Sequence, residues 1–183
     1  MISLEFIEQT FPKGKLTIID GRPNTGNTAL GILLAFNLAK LSKRSLFLSL
    51  EMAEESLIQN MMMLVGKEQY NMLKESIVID DTPKIELSQI RNHPHLHISD
   101  YVFVDYLQLM DAEIVTPANK RAFSVAENIE LIAEEYNIGI IAFSHLPRSG
   151  NTQESLFPSN VRYFQRKEKF DWERELEEST LDK

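Results

Sequence analysis

Residues 15–30, KLTIIDGRPNTGNTAL, constrain this chain more than any other stretch. Leu16, Thr17, Ile18 and Ile19 read as a short apolar strand, GRPNTGNT as a turn, and the residues from Ala29 onward as an apolar helix. A helix N-terminus that follows a glycine turn offers main-chain N–H groups and the positive end of its dipole to an anion. Gly21 and Gly26 are spaced as in a phosphate-binding loop, G-x-x-x-x-G-K-[ST], and Thr28 supplies the hydroxyl of the eighth position. The seventh position is Asn27 where that pattern has lysine. An amide leaves the main-chain cradle intact but does not bring the charge that neutralises β- and γ-phosphates, so binding and turnover become separate questions. Without further support the stretch is equally consistent with an ordinary Gly/Pro/Asn turn whose Asn27 caps a helix.

Length and composition narrow the setting. At 183 residues, 43% apolar and 25% charged, the sequence suits one soluble globular domain with a sizeable core. No apolar run reaches the roughly 18 residues of a membrane span, and MISLEFIEQTF lacks a basic segment followed by an apolar one. A cytoplasmic home is therefore the default expectation. The absence of cysteine excludes disulfides, thiolate catalysis and Cys-ligated zinc. A formal net charge of −8 argues against coating nucleic acid by bulk electrostatics, so a contact with single-stranded DNA needs a local basic loop.

Further along, residues 29–42 are apolar nearly all round, as in a helix buried against a sheet. Leu46–Leu50 has strand length and ends in Glu51; Met52–Val65 reads as a helix with Leu57, Met61, Leu64 and Val65 inward and Gly66 as its stop. Residues 77–79 form a third strand closed by Asp80 and Asp81, residues 86–91 a short helix, and residues 101–104 a fourth strand ending in Asp105. A helix is expected over 121–136, with Ala122, Val125, Ile129, Ile132 and Tyr136 inward and Glu127, Glu130, Glu134 and Glu135 on a solvated face. Residues 138–143 give a fifth strand ending in Ser144 and His145.

Near-continuous apolar strands that alternate with helices predict an α/β fold: a mostly parallel five-stranded sheet with helices on both faces. Ligands of such sheets sit at the carboxyl ends of the strands. The residues to examine there are Asp20–Thr28, Glu51, Asp80, Asp81, Asp105, Ser144 and His145. The domain division expected is a nucleotide-binding core over 1–146, then a polar loop and a charged, amphipathic helical tail over 147–183. His93, His95 and His97 in HPHLH are metal-ligating types, but a solvated loop is the favoured reading. Arg148 and the loop after it are read as a connector before a contact for DNA phosphates.

A phosphate cradle, one carboxylate for magnesium and a second to orient water are the minimal set for nucleoside triphosphate hydrolysis; Thr28, Asp105 and Glu51 are the candidates. GRPNTGNTAL, SLEMAEESL, IDDTPKIELSQIR, FVDYLQLM and IGIIAFSHLPRS stand in the order and nearly the spacing of the ATPase domain of DnaB-like replicative helicases, which has a RecA-like P-loop fold. The chain resembles that domain over roughly residues 14–149. The resemblance implies ATP and Mg2+ as cofactors and a nucleotide loop of Gly21, Arg22, Pro23, Asn24, Thr25, Gly26, Asn27 and Thr28. It further implies Thr28 and Asp105 on the metal, Glu51 polarising the attacking water, and His145 sensing the γ-phosphate where bacterial members usually have Gln.

The departures carry weight too. Asn27 stands where active members have lysine, and PSNVRYF at 158–164 only faintly matches the segment in which relatives bear DNA-contacting loops and an arginine finger. Arg162 reads as a surface arginine before a finger. No stretch matches the N-terminal domain and linker helix of bacterial relatives, which argues against a hexameric ring, though a homo-oligomer stays open. The expectation is an ATP-binding, DnaB-helicase-like domain with weak or absent hydrolysis. The alternative is a non-hydrolysing interaction or regulatory module acting on a replication or mobile-element partner.

Overall fold

The structure, a computed structural model, describes residues 3–21, 26–110, 118–145 and 162–165. In chain order its elements are α1 (Leu4–Thr10), β1 (Lys15–Gly21), α2 (Asn27–Lys40), β2 (Ser45–Ser49), α3 (Glu54–Val65), α4 (Lys67–Leu73), β3 (Ile77–Asp80) and α5 (Leu87–Arg91). They continue with β4 (Tyr101–Asp105), α6 (Ala118–Tyr136), β5 (Gly139–His145) and β6 (Arg162–Gln165). The strands form one sheet in the order β3-β2-β4-β5-β1-β6, and every pairing is parallel. The five expected strands are present in the mostly parallel, two-faced α/β arrangement, and β6 adds a sixth beside β1.

Period-two alternation sends strand side chains to two separate cores. Leu16, Ile18, Leu46, Leu48, Val102, Val104, Ile140 and Ala142 pack on one face with Ile90 of α5 and Val125, Ile129 and Ile132 of α6. Ile19, Phe47, Phe103, Ile141 and Phe143 pack on the other with α1, α2, α3 and α4. Phe47 and Phe103 stack with ring centroids 5.5 Å apart, and each fully buried aromatic or aliphatic side chain stabilises the fold by roughly 1.5–3 kcal/mol. The helix α2 approaches the sheet closely because residue 31 has no side chain: a Cβ on Gly31 would lie 2.8 Å from the Phe143 ring.

Three sequence expectations are corrected, and one helix is new. Glu130, assigned to the solvated face of α6, is 2% exposed. Its carboxylate accepts the main-chain N–H of Leu16 and lies 3.2 Å from Lys15 Nζ, so it satisfies the amino end of β1 from the opposite element. Leu64, placed on the inward face of α3, is 45% exposed, and Leu57 and Met61 carry that contact instead. Residues 162–165, read as part of a helical tail, are sheet: Arg162 pairs with Thr17 and Gln165 with Asp20. Helix α4, with Tyr70 buried, was not anticipated. The loop expected over 147–159 and the tail after Gln165 lie outside the described residues. Among the described residues no helix is long and apolar enough to cross a membrane.

Candidate nucleotide site

Strand β1 ends at Gly21, and the chain re-enters the description at Gly26; Arg22, Pro23, Asn24 and Thr25, all candidates for the loop, lie outside the described residues. Gly26 has φ 88° and ψ 32°, the left-handed conformation that a Cβ disfavours, and its carbonyl accepts the N–H of Leu30 at 3.0 Å to start α2. Asn27 and Thr28 thus occupy the first turn of a 14-residue helix, where N–H groups have no partner within the helix and the dipole is positive.

Asp105 closes β4 and is 2% exposed. The Thr28 hydroxyl donates to Asp105 Oδ2 at 2.7 Å, a bridge between the first turn of α2 and the end of β4 that passes over the intervening β5. A hydroxyl oxygen and a carboxylate oxygen at that spacing are hard donors of the kind Mg2+ takes, and Thr28 and Asp105 fit the metal expected of them.

Glu51 lies two residues beyond β2, exposed to solvent. Ser49 is the Cα partner of Asp105, and Leu50 N–H donates to the Asp105 carbonyl at 2.8 Å, so β2 delivers Glu51 to the same rim as Asp105. Tyr106 registers both acids. Its phenol is pushed above the ordinary tyrosine value first by burial and then by the negative charges of Glu51 and Asp105. His145 is the last residue of β5 and the Cα partner of Gly21, which puts its backbone beside the start of the loop.

Asn27 is 6% exposed, and its Nδ2 donates to the main-chain carbonyl of Ser144 at 3.4 Å. Ser144 receives a second hydrogen bond on its hydroxyl from Gln108 Nε2, at 2.7 Å. Gln108 stands three residues past Asp105 in FVDYLQLM and Ser144 near the end of β5, but neither residue type carries a signal in the sequence that sets it apart as part of the site. Asp20, buried at the end of β1, is the Cα partner of Ser144.

The remaining strand-end acids belong elsewhere. Asp81 Oδ2 accepts the N–H of Glu54 at 2.9 Å and so serves the N-terminus of α3. Asp80 accepts the N–H of Thr82 at 2.8 Å and sits 3.2 Å from His93 Nε2. Burial holds the His93 imidazole below its usual pKa against the pull of Asp80. Asp80 itself is held low: burial pushes it up, but the Thr82 donors and His93 outweigh that. The HPHLH segment is a turn leading into a 3-10 turn at Leu96–Ile98, with His97 edge-on to Tyr136. Among the described residues no group of three His, Asp or Glu side chains is placed to hold a metal.

Comparison with known proteins places the chain in a family and a fold. The family model of the DnaB-like helicase C terminal domain matches residues 1–74 and 63–161. A probable replicative DNA helicase of Trieres chinensis is 31% identical over 175 residues, covering 80% of this chain and 38% of that protein. The replicative DNA helicase DnaB of Rickettsia felis is 30% identical over 187 aligned residues, covering 81% of this chain and 37% of that protein. The chain thus spans well under half the length of these relatives. Among solved structures, a DnaB-like replicative helicase described with its interactions with primase superposes with a TM-score of 0.64 at 20% identity, over 83% of this chain and 44% of that one. At that identity the likeness speaks for the fold, which is RecA-like. With the family model covering most of the sequence and relatives 30–31% identical, the chain belongs to the DnaB-like helicase C-terminal domain family.

Proposed function

We propose that this domain takes ATP with magnesium between the segment 21–28 and Asp105, and that it hydrolyses the nucleotide weakly or not at all. The observation that carries this reading is the Thr28–Asp105 hydrogen bond of 2.7 Å, which brings the hydroxyl at the head of α2 to a buried strand-end carboxylate. A magnesium ion held there would supply positive charge to the phosphates. Thr28 and Asp105 are the residues to hold it.

The other roles fall to the chain's own groups. The N–H groups of the first turn of α2 take phosphate oxygens, as the positive end of a helix does. Glu51, on the rim beside Asp105, accepts hydrogen bonds from the attacking water and orients it, a contribution worth about 10²–10⁴-fold where it operates. His145, at the end of β5, is the group to follow the γ-phosphate. Asn27 is where turnover fails, because a neutral amide stabilises the charge developing on the transferred phosphoryl group less than an ammonium does. Loss of one such electrostatic contact costs roughly 10²–10³ in rate.

Any work on DNA is proposed for a larger assembly, since the net charge of −8 gives no bulk attraction to a polyanion. The test is an ATPase assay with and without single-stranded DNA on the natural chain and on Asn27→Lys, beside calorimetry with Mg-ATP. The natural chain should bind with very slow turnover, and lysine should raise affinity more readily than it confers unwinding. Robust DNA-stimulated hydrolysis by the natural chain would refute the assignment to Asn27. No binding of nucleotide would refute the ATP reading and leave a family member that works as an interaction module.

A further inference from the structure

We propose that Asn27 is a positioning residue whose side-chain amide exchanges between the Ser144 carbonyl and a nucleotide phosphate, so that occupancy of the cradle loosens the carboxyl end of β5. This rests on the nucleotide reading above and adds to it a path from the cradle to the strand end that carries His145.

Beyond its pairing with β1, where Ser144 stands opposite Asp20 and His145 opposite Gly21, the end of β5 is held by two side chains. Ile141 and Phe143 face the core under α2, whereas Ile140 and Ala142 face the core under α6, and Ser144 has the parity of the latter pair. Gln108 Nε2 reaches the Ser144 hydroxyl at 2.7 Å, while Asn27 Nδ2, from the first turn of α2, reaches the carbonyl of the same residue at 3.4 Å. One residue thereby joins the loop helix, the turn after Asp105 and the strand that ends in His145.

The two holds are unequal. The Gln108 bond is short, but the Asn27 bond lies beyond the usual N–H···O spacing of about 2.9–3.0 Å and is correspondingly weak. A phosphate oxygen is a better acceptor than a peptide carbonyl, because hydrogen bonds to anionic oxygens are shorter and roughly twice as strong. Asn27 is the residue just before Thr28, at the head of the helix on which phosphates are proposed to sit. A ligand there outcompetes the carbonyl for the amide, and Ser144 keeps its hydroxyl anchor and its place opposite Asp20 in the sheet. A lysine at this position would reach the phosphates without tying α2 to β5 through a short amide, so this coupling is a property of the asparagine.

Hydrogen–deuterium exchange of peptides over residues 139–145, on the full chain with and without ADP and magnesium, tests this, with calorimetry run in parallel on the same samples. Expected is calorimetric binding together with exchange several-fold faster at the end of β5, while residues 101–105 of β4 stay unchanged. Asn27→Ala should exchange fast at β5 without nucleotide and show no further rise on binding it. Gln108→Ala, which spares the Asn27 contact, should start faster than the natural chain and still respond to nucleotide. Binding with no change or a slowing at β5, or an Asn27→Ala chain that still responds as the natural one does, would overturn the proposal while leaving the nucleotide reading intact. No calorimetric binding would overturn both.

Discussion

Replacing Thr28 with valine keeps the shape of the side chain and removes the hydroxyl that donates to Asp105 Oδ2 at 2.7 Å. Asp105 is 2% exposed, so water does not readily replace the lost donor. A hydrogen bond to a charged group contributes about 1.5–3 kcal/mol, and an unsatisfied buried acceptor incurs a desolvation penalty of similar size. For a domain of this length each kcal/mol moves Tm by about 2–4 °C, so Thr28→Val should melt roughly 3–12 °C lower. Thr28→Ser, which keeps the hydroxyl, should recover most of that. Differential scanning calorimetry in EDTA reads this structural part of the effect free of metal. Titration of Mg2+ in the presence of ADP then reads the functional part, and Thr28→Val should lose the gain in nucleotide affinity that magnesium gives the natural chain. A double-mutant cycle with Asp105→Asn isolates the pair: the two substitutions together should cost less than their sum. Equal melting of Thr28→Val and the natural chain, with additive effects in the cycle, would refute the bridge between α2 and β4.

Glu130 gives a second prediction. Glu130→Gln presents an amide nitrogen or a neutral oxygen to the Leu16 N–H and to Lys15, and breaking a buried charged contact of this kind typically costs 3–5 kcal/mol; because Lys15 is 41% exposed at its side chain, a loss of about 1–3 kcal/mol by urea unfolding is expected. Glu134→Gln, which removes an exposed partner of the same lysine 2.8 Å away, should cost no more than about 0.5 kcal/mol. Asp100, at the amino end of β4, is held below its usual pKa: burial raises it, but Lys13 at 2.6 Å, the Arg44 N–H at 3.0 Å and the charge of Lys43 outweigh burial. A depressed acid stabilises the fold above the pKa of its unfolded state and loses that contribution as pH falls through the folded value. Asp100→Asn should therefore lower Tm at pH 7, and the gap between variant and natural chain should close below roughly pH 4. A gap that persists unchanged at pH 2 would show that the carboxylate charge is not its source.

The parts of this fold that were legible in the sequence are those whose cause is local. Strands buried on both faces read as unbroken apolar runs, so Leu46–Leu50, residues 101–104 and residues 138–143 announced β2, β4 and β5 within a residue or two. The parallel order then sent Glu51, Asp105 and His145 to one rim without any knowledge of contacts. What escaped depends on partners remote in the chain. Glu130 looks like its glutamate neighbours, and only the arrival of the Leu16 N–H, 114 residues away in sequence, makes it a buried ligand. Strand β6 is four residues, RYFQ, next to a charged run with no alternation to mark it, and its pairing with β1 is set by the sheet edge available to it. Helix α4 commits a single buried residue, Tyr70, which is too little for a periodic signal. Gln108 and Ser144 fall in the same class: each is an ordinary polar residue until two strand ends and a helix N-terminus meet over it.

The lysine-to-asparagine difference separates two quantities that usually move together. Ground-state affinity for a polyphosphate is spread over many donors, and those of the main chain at the head of α2 do not depend on the side chain at position 27. The field in which the phosphoryl group reacts is less forgiving. Asp105 and Glu51 both bring negative charge to this rim, as the elevated Tyr106 phenol registers, and a magnesium ion held as proposed would answer only part of it. Position 27 is where the family places the remaining positive charge, close to the oxygens on which charge accumulates; in this chain its amide instead lies against a peptide carbonyl. Removing a cation there weakens the transition state more than the bound ground state, because only the former concentrates new charge beside it. On the nucleotide reading proposed above, the physical consequence is a domain whose occupancy drives a response through Asn27 and Ser144 while the chemistry that would end that occupancy is slow.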